Sequence, residues 1–347
     1  MDAEKAIESR KKEHVEAARR EDVEYSVPAG FSDVRFVHQP LPELDLEAVD
    51  SGCKLFGKKL SAPLIIEAMT GGYMGAEKIN IALAAAAQRE GVALGVGSQR
   101  VMLEAPKLAS TYKLRNVAPY TVIIGNIGGC QLQKYGVKRI RGILDDIEAD
   151  ALAIHLNPLQ EVVQPEGDIK FSGILPQIEI FAKDLGLPVV VKETGAGIGR
   201  KTAESLKKAG VKLVDVAGAG GTSWSKVEYM RSGERPVFGD WGNPTCECIA
   251  SCSEVVETIG SGGVRSGQDA AKAIALGASF AGAALPFLRA KNAQEEVARW
   301  KKELVLSMLL TGSKDVSALK KARIVVTGKT AEGMQRLGVD VDRFARR

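Results

Sequence analysis

Side chains that could hold a metal ion and an anion lie close together in the segment "LAIHLNPLQE" (152–161). An apolar start, typical of a buried strand, leads there into His155, Asn157, Gln160 and Glu161. Magnesium in proteins is usually held by one or two carboxylates together with substrate phosphates and water. One carboxylate among neutral hydrogen-bonding groups therefore fits a metal–diphosphate complex better than a closed metal cage. A polar loop that caps a strand is the simpler alternative.

A glycine-rich segment, "GSGGVRSGQDAAKAIALGA" (260–278), has the features of a phosphate site. Gly262 and Gly263 can expose backbone N–H groups, and the positive end of a helix dipole favours an anion. Arg265 could add a charge-assisted contact. The alternative is a helix that begins after a flexible turn.

Lys192 closes the apolar run "PVVVK" (188–192). A lysine at the end of a buried strand is costly unless it meets an anion. An anionic cofactor ring would supply one, and a salt bridge to Glu193 is the alternative.

Two other patterns do not support a function. "GAGIG" (195–199) and "GAGG" (218–221) lack the full G-x-G-x-x-G of a dinucleotide-binding unit. The cysteines of "CECIASC" (246–252) lack the paired spacing of a zinc site, so we expect them to be small buried residues on a helix.

Short apolar runs recur along the chain and predict the strands that position these side chains. They are continuous rather than alternating, as expected of parallel strands buried on both faces. The runs are 63–68, 92–96, 121–125, 151–156, 188–192, 212–217, 255–260 and 278–283.

Amphipathic stretches of helical length separate these runs, for example 77–90 and 199–209. Strands that alternate with helices imply parallel βαβ units. Eight such units predict an α/β fold of the TIM (β/α)8 barrel type, with a doubly wound sheet as the rival. We expect an N-terminal extension over 1–60, the barrel over 61–312, closed by a helix at about 291–310, and a tail over 313–347. Loops at the C-terminal ends of the strands should then build the site.

The composition is that of an ordinary soluble globular protein. The chain has 347 residues, 45% hydrophobic and 26% charged, with 47 basic against 43 acidic residues. This balance gives no indication of a nucleic-acid partner. We expect no membrane partner because no run approaches the ~20 apolar residues of a span. The absence of a signal-peptide pattern and the five scattered cysteines predict a cytoplasmic location.

Taken together, several segments resemble type 2 isopentenyl-diphosphate delta-isomerase, the flavin-dependent form. The resemblance runs from about residue 7 to 290. It rests on "SRKKEH", "AMTGG", "GSQR", "GNIGG", "HLNPLQE", "VKETGAGIG", "AGAGGTSW" and "SGGVRSGQDAAKAIALGA". One departure is "DWGNPTCECIASC", where the family pattern has "WGIPT" and a smoother helix.

The resemblance implies roles for particular residues. It places FMN in the barrel, held by Ala68, Met69, Thr70, Ser98, Asn126, Lys192, Thr222, Gly263, Val264, Arg265, Ala283 and Ala284. It places the substrate on Arg10, Lys11, His14, Ser98, Gln99, Arg100, His155, Asn157 and Gln160. Glu161 would bind Mg²⁺, and Gln160, Glu228 and His155 would act in catalysis.

By the same resemblance, the extension over 1–60 contributes to the substrate site. Arg10, Lys11 and His14 share a helical face there, which taken alone would be a solvated charged face. The implied reaction converts isopentenyl diphosphate into dimethylallyl diphosphate by a 1,3-allylic proton shift in isoprenoid biosynthesis. Reduced FMN would relay the proton through N5, with NADPH as the reductant and Lys192 near N1. The family forms homotetramers and homo-octamers.

Two alternatives remain open at this point. An FMN-dependent 2-hydroxy-acid oxidase would share the cofactor loops but should show a histidine base and arginines in its late loops. Here those loops offer Trp224 and Glu228, and His155 is the only histidine in the barrel. A non-catalytic sensor of flavin or phosphate ligands would not need Glu161.

Overall fold

A closed barrel of eight parallel strands forms the centre of the computed structural model. The model describes residues 2–18 and 23–347, and only the backbone of residues 2–8 and 10. The strands in these ranges are β1 (Val34–Phe36), β2 (Cys53–Leu55), β3 (Lys58–Leu60), β4 (Leu64–Ile66), β5 (Ala93–Gly95), β6 (Ile123–Gly128), β7 (Ala151–Leu156), β8 (Val189–Glu193), β9 (Leu213–Asp215), β10 (Glu257–Ser261), β11 (Phe280–Ala283) and β12 (Ile324–Val326). Strands β4 to β11 follow one another around the barrel, and β11 pairs with β4 to close it.

Each of the predicted apolar runs overlaps one barrel strand, although β6, β8 and β10 extend beyond their runs, so the predicted TIM barrel is confirmed. The residues of β6 and β8 are buried throughout, because each strand contacts the barrel interior on one face and helices on the other. A doubly wound sheet is excluded because the strands form a closed ring.

Helices surround the barrel strands. Within the described ranges they are α1 (Asp2–Ala18), α2 (Met74–Glu90), α3 (Arg100–Glu104), α4 (Leu132–Asp146), α5 (Pro158–Val163), α6 (Ile174–Asp184), α7 (Arg200–Lys208), α8 (Trp224–Ser232), α9 (Thr245–Cys252), α10 (Gly267–Leu276), α11 (Leu285–Arg289), α12 (Ala293–Leu310), α13 (Val316–Leu319), α14 (Gly328–Arg336) and α15 (Asp342–Ala345). Short 3₁₀ helices cover Phe31–Asp33, Leu46–Ala48, Pro106–Tyr112 and Gly129–Gln131. The helices predicted at 77–90, 199–209 and 291–310 correspond to α2, α7 and α12.

The β2–β3 hairpin closes the N-terminal end of the barrel. Leu55 and Leu60 of this hairpin join a buried apolar cluster with interior side chains of the barrel strands, including Ile65 and Ile124. Apolar side chains fill this end, so we expect the site at the opposite, C-terminal end.

The N-terminal and C-terminal segments meet on the outside of the barrel. Strand β1 pairs antiparallel with β12, with Val34 opposite Val326. Helix α1 lies at the C-terminal end of the barrel. Its residues Val15 and Ala18 share an apolar cluster with side chains that follow β4 and β11, namely Tyr73, Ala76, Leu285 and Leu288. This packing places the basic face of α1 beside the open end.

Helix α9 carries Cys246, Cys248 and Cys252, all of which are buried free thiols, as the sequence predicts. Burial raises the pKa of each thiol above its ordinary value. In the portion of the chain that the model describes, no helix is long and apolar enough to cross a membrane.

Candidate active site

A cavity of about 210 Å³ opens at the C-terminal end of the barrel strands. All the residues predicted to hold the flavin line it: Ala68, Met69, Thr70, Ser98, Asn126, Lys192, Thr222, Gly263, Val264, Arg265, Ala283 and Ala284. Most residues predicted to hold the substrate and metal also line it: Lys11, His14, Ser98, Arg100, His155, Asn157, Gln160 and Glu161. Residues more than 250 positions apart in the sequence therefore meet in one cavity, as the barrel topology requires.

The loops after β9 and β10 touch backbone to backbone at one edge of this cavity. A Cβ atom on Gly221 would lie 2.6 Å from the Gly263 nitrogen, and one on Gly263 would lie 2.4 Å from the Gly220 oxygen. Gly262 and Gly263 also have φ values of 98° and 70°, which favour glycine. The glycines therefore leave backbone groups as the lining of this edge, and such a surface fits a phosphate.

Helix α10, which follows this loop, has its first N–H groups occupied. The Asp269 N–H donates to the Ser266 side chain, and the Gly267 N–H donates to Glu303. The glycine loop itself, rather than the start of α10, is thus the part that could receive a phosphate.

Arg265 stands beside the glycine loop and is paired with an acid from the N-terminal segment. Its guanidinium lies 2.6 Å from Glu24 Oε2, while Arg289 lies 2.7 Å from Glu24 Oε1. Arg265 therefore lines the cavity as predicted, but its charge is shared with Glu24, a partner that the sequence does not reveal.

Lys192 reaches the floor of the cavity from β8. Its Nζ lies 3.5 Å from Asp215 Oδ2 and 4.0 Å from Glu67 Oε2, and it donates to the Glu193 carbonyl oxygen. Burial disfavours the ammonium form, but Asp215 and Glu67 outweigh this and raise the pKa of Lys192. Lys192 therefore lies beside Asp215 and Glu67 and does not form the salt bridge to Glu193 that was the alternative.

The carboxylate of Glu193 turns away from Lys192 and shapes the loop that follows β8. Its Oε2 accepts hydrogen bonds from the N–H groups of Thr194, Gly195, Ala196 and Gly197. Because these N–H groups converge on one oxygen, the "ETGAG" segment curls tightly at the rim of the cavity.

His155, at the end of β7, is a neutral imidazole. Its Nδ1 lies 2.7 Å from Asn126 Oδ1, which accepts the Nδ1 hydrogen. Burial, helped by the charges of Lys192 and Lys11, lowers the pKa of His155 to about 3. The second ring nitrogen is therefore an acceptor until an anion enters the cavity.

Glu161, in the first turn of α5, presents a carboxylate to the cavity. Its Oε1 accepts a hydrogen bond from Asn157 Nδ2 at 2.9 Å and its Oε2 one from the Asp168 N–H at 2.7 Å. No group of three or more metal-ligating side chains occurs among the described residues. A single fixed carboxylate beside a cavity fits a magnesium ion whose other ligands are phosphate oxygens and water.

Gln160 and His14 both contact Glu228, which lies behind the cavity wall. Gln160 Nε2 donates to Glu228 Oε1 at 2.9 Å, and His14 Nε2 lies 2.9 Å from the same oxygen. Arg231 pairs with Glu228 Oε2 at 2.5 Å. Burial raises the pKa of Glu228, but the hydrogen bonds from His14, Gln160 and Arg231 outweigh burial and lower this pKa overall. The Glu228 side chain is 0% exposed and does not line the cavity, so the structure places it in contact with Gln160 rather than with a ligand.

Helix α1 contributes Lys11 and His14 to the cavity wall. The His14 ring meets the ring of Trp224 edge to face at 5.4 Å. Burial lowers the pKa of His14 despite the nearby Glu228 carboxylate. The side chain of Arg10, predicted to bind substrate, lies outside the described residues.

Gln99 does not match its predicted role as a substrate contact. Its side chain is fully buried, where Nε2 donates to the Ile143 carbonyl oxygen and Oε1 accepts from the Asn126 N–H. Both polar ends are thus used to hold the backbone of neighbouring elements. Gln99 faces away from the cavity, whereas Ser98 and Arg100 on either side of it face the cavity.

Glu67 lines the cavity but was not among the predicted site residues. The signal was present: an acid closes the apolar run before "AMTGG", just as Lys192 closes "PVVVK", and Asp215 interrupts "KLVDVA". Charged residues in buried strands require partners, so these three together predict an ionic cluster.

The glycines of "AMTGG" have a structural reason that the sequence does not show. A Cβ on Gly71 would lie 2.2 Å from the Tyr112 ring, whose hydroxyl donates to the Ser98 carbonyl oxygen. Gly71 and Gly72 therefore make room for Tyr112, which in turn supports the loop carrying Ser98.

The fold and the cavity define a (β/α)8 barrel with its candidate site at the C-terminal ends of the strands. The family model described as FMN-dependent dehydrogenase matches residues 170–326. A mandelate oxidase structure with (S)-mandelic acid aligns with a TM-score of 0.62 at 16% identity, covering 94% of this chain and 98% of that one. A second, with a monooxide FMN adduct, aligns with a TM-score of 0.61 at 18% identity, covering 91% and 92%. At this identity the likeness shows the fold alone.

Sequence relatives identify the family. Isopentenyl-diphosphate delta-isomerase of Methanothermobacter thermautotrophicus is 44% identical over 98% of this chain and 99% of its own length. The enzyme of the same name from Pyrococcus furiosus is 42% identical over 97% and 91%, and that of Nostoc sp. 44% over 90% and 94%. The chain belongs to the isopentenyl-diphosphate delta-isomerase family. The match to an FMN-dependent family model agrees with the flavin-dependent form that the sequence resembles.

Proposed function

We propose that this protein converts isopentenyl diphosphate into dimethylallyl diphosphate, with FMN and Mg²⁺ in the barrel cavity. The observation that carries this proposal is that one cavity combines groups suited to a metal-bound diphosphate with groups suited to a flavin ring. One wall carries Lys11, Arg100 and Glu161, which suit a metal-bound diphosphate, and the floor carries Lys192, which suits an anionic ring. Relatives named isopentenyl-diphosphate delta-isomerase, at 41–44% identity, support the assignment.

The residues around the floor fit an isoalloxazine ring and its phosphate arm. Ala68, Met69 and Thr70 supply a largely apolar edge, and the Gly263 loop supplies backbone for the phosphate. Reduced FMN, when bound, would supply proton donation and acceptance at N5 without net oxidation of the substrate. Lys192 would stabilise negative charge on the ring, since its raised pKa keeps the ammonium group charged.

The diphosphate would lie where Glu161 and Arg100 meet. Glu161 is held by Asn157 and by the Asp168 N–H, so it is already oriented to share a magnesium ion with the substrate. Arg100 has its Nε 3.0 Å from Glu104, which fixes the guanidinium at the rim. Binding energy from this remote end would hold the alkene in place for proton transfer.

Gln160, Glu228 and His155 would act on the hydrocarbon end. Gln160 would face the substrate in an orientation set by its hydrogen bond to Glu228. Neutral His155, fixed by Asn126, would accept a hydrogen bond or a proton as an anion arrives. Gln160 and His155 line the cavity, and Glu228 would act through Gln160 and His14.

We further propose that NADPH is the reductant, that the protein assembles as a homotetramer or homo-octamer, and that it is cytoplasmic. We also propose that the chain has three functional parts. The parts are an extension over 1–60 that completes the substrate site, an FMN-binding barrel over 61–312 and a tail over 313–347. The position of Lys11 and His14 in the cavity wall supports the role of the extension.

A 2-hydroxy-acid oxidase activity is less well supported by this cavity. Such an enzyme needs a histidine that takes a proton near neutral pH. His155 is the only histidine of the barrel, and its pKa of about 3 makes it a weak base in the open cavity.

A direct test is to incubate the reduced, FMN-loaded protein with isopentenyl diphosphate and Mg²⁺ in D₂O and follow the products by NMR. The proposal predicts dimethylallyl diphosphate with deuterium at the positions that exchange. A parallel incubation of the oxidised protein with 2-hydroxy acids should release no peroxide. Peroxide release without isomerisation would support the oxidase instead.

A further inference from the structure

Three ionisable side chains form a buried cluster under the cavity, and the proposed chemistry leaves two of them without a role. Glu67 follows β4, Lys192 lies in β8 and Asp215 ends β9. Their side chains are 11%, 10% and 1% exposed, respectively. With both carboxyl groups ionised, two negative charges would face one ammonium group where water hardly reaches. An uncompensated buried charge of this kind is costly.

The neighbouring polar groups do not remove this excess charge. Ser261, at the end of β10, donates to Asp215 Oδ1 at 2.5 Å. Glu193, beside Lys192 in β8, has its carboxylate on the N–H groups of its own loop. His155, in β7, is neutral. The Ala217 N–H donates a second hydrogen bond to Asp215 Oδ1, at 3.3 Å. Among the described residues, these groups supply hydrogen bonds to one oxygen of Asp215 but no second positive charge.

Within the described part of the chain, one carboxylate oxygen of Asp215 lacks a hydrogen bond. Among the described residues, Asp215 Oδ2 receives none that is well formed, although Lys192 Nζ lies 3.5 Å away. Buried carboxylate oxygens normally accept a hydrogen bond, so a donor is expected close by. The carboxyl group of Glu67 is a close neighbour, since Lys192 Nζ lies 3.5 Å from Asp215 Oδ2 and 4.0 Å from Glu67 Oε2. It can be that donor only if it carries a proton.

We propose that Glu67 is a protonated carboxylic acid that donates a hydrogen bond to Asp215, so that Glu67, Asp215 and Lys192 together form a neutral cluster. Burial and the nearby Asp215 carboxylate raise the pKa of Glu67 to about 8, against the opposing effect of Lys192. The charges then balance: Lys192 is positive, Asp215 negative and Glu67 neutral.

The cluster gives Glu67 a positioning role toward the proposed flavin. Asp215 is fixed by Ser261 on one oxygen and by Glu67 on the other, and it in turn holds the Lys192 ammonium at the cavity floor. Because the cluster has no net charge, it does not repel an anionic ring. This role depends on FMN binding in the cavity, as proposed above, whereas the protonation of Glu67 does not.

The test is chemical unfolding of the full flavin-free chain between pH 5 and 9, for wild type and Glu67→Gln. An ordinary glutamate, as in the unfolded chain, has a pKa of 4.5, so above that pH only the folded state keeps the Glu67 proton, up to about 8. Wild type should therefore lose stability relative to Glu67→Gln as pH rises through this window, by up to about tenfold in the unfolding constant per pH unit. The amide keeps an N–H donor for Asp215 but cannot titrate.

The exposed Glu179 supplies a matched control. Glu179→Gln should stay parallel to wild type across the whole range. Parallel curves for wild type and Glu67→Gln would overturn the proposal, because they would mean that Glu67 is ionised in the folded protein.

Infrared spectra provide a second test, which also covers the case in which Glu67→Gln fails to fold. A protonated carboxyl band should be present in the wild type at pH 6. Asp215→Asn removes a negative charge and leaves Glu67 to pair with Lys192 as a carboxylate, so this band should disappear. A band of unchanged intensity in Asp215→Asn would contradict the proposal. Since the protein is flavin-free, the outcome is independent of the isomerase activity.

Discussion

Gln160 Nε2 donates a hydrogen bond to Glu228 Oε1 over 2.9 Å, although the two residues are 68 positions apart in the sequence. Gln160 lines the cavity, whereas Glu228 is fully buried behind it and also contacts His14. The contact joins α5, α8 and α1 at one carboxylate. The Gln160 amide, which faces the cavity, is therefore oriented by a residue that does not line the cavity.

Replacing Glu228 by Gln should lower kcat by roughly 100-fold, because the neutral amide no longer fixes the donor side of Gln160 or pairs with Arg231. FMN binding should change little, since Glu228 does not line the cavity. Steady-state kinetics and flavin titration would measure the two effects separately. Wild-type kcat in this variant would show that the contact has no role in turnover.

Replacing Glu161 by Gln should reduce turnover by at least about 100-fold and raise the Mg²⁺ concentration needed for half-maximal rate. The amide can keep a contact with the Asp168 N–H, so folding and flavin content should be retained. Glu166→Gln is a suitable control, because Glu166 lies in the same region but pairs with Arg231 at 2.9 Å and does not line the cavity. Equal Mg²⁺ dependence in both variants would argue against a metal at Glu161.

The low pKa of His155 has a consequence for stability in acid. Folding lowers this pKa from 6.5 to about 3, so the unfolded chain binds an extra proton as pH falls below 6.5. The stabilising contribution is complete above pH 6.5 and is lost progressively toward pH 3. Between pH 7 and 4.5 the free energy of unfolding of the wild type should fall by up to about 2–3 kcal/mol relative to that of His155→Asn. Urea unfolding of both proteins across this range would measure it, and a constant difference would contradict the assigned pKa.

Gly71 should tolerate no side chain. A Cβ there would lie 2.2 Å from the Tyr112 ring at a φ of 148°, so Gly71→Ala should cost about 2–5 kcal/mol of stability. Gly136 has a φ of 67° with no atom within 4 Å of an added Cβ, so Gly136→Ala should cost only about 1 kcal/mol. Thermal unfolding of the two variants would compare them. Similar losses would mean that contact with Tyr112 is not the reason for glycine at 71.

The barrel could be predicted from the sequence because its strands are buried on both faces and therefore form continuous apolar runs. Parallel strands in a barrel place the residues that follow each run at the same end of the barrel, which is why we expected Ser98, Lys192 and Gly263 near one another. Local patterns of this kind depend only on neighbours in the chain.

Pairings between distant side chains could not be predicted in this way. Glu24 pairs with Arg265 from 241 positions away, and Gln99 turns to the outer packing layer while its neighbours face the cavity. The location of Glu228 behind Gln160 likewise depends on how α8 packs against α5. Such contacts arise from tertiary packing, and no local spacing encodes them.

The central claim is that this cavity isomerises isopentenyl diphosphate with reduced flavin. The most direct measurement is anaerobic turnover of isopentenyl diphosphate with FMN and Mg²⁺, with and without NADPH or dithionite. We predict dimethylallyl diphosphate only in the reduced samples, with no net consumption of reductant per turnover. A folded, FMN-loaded protein that forms no product under either condition would contradict the account.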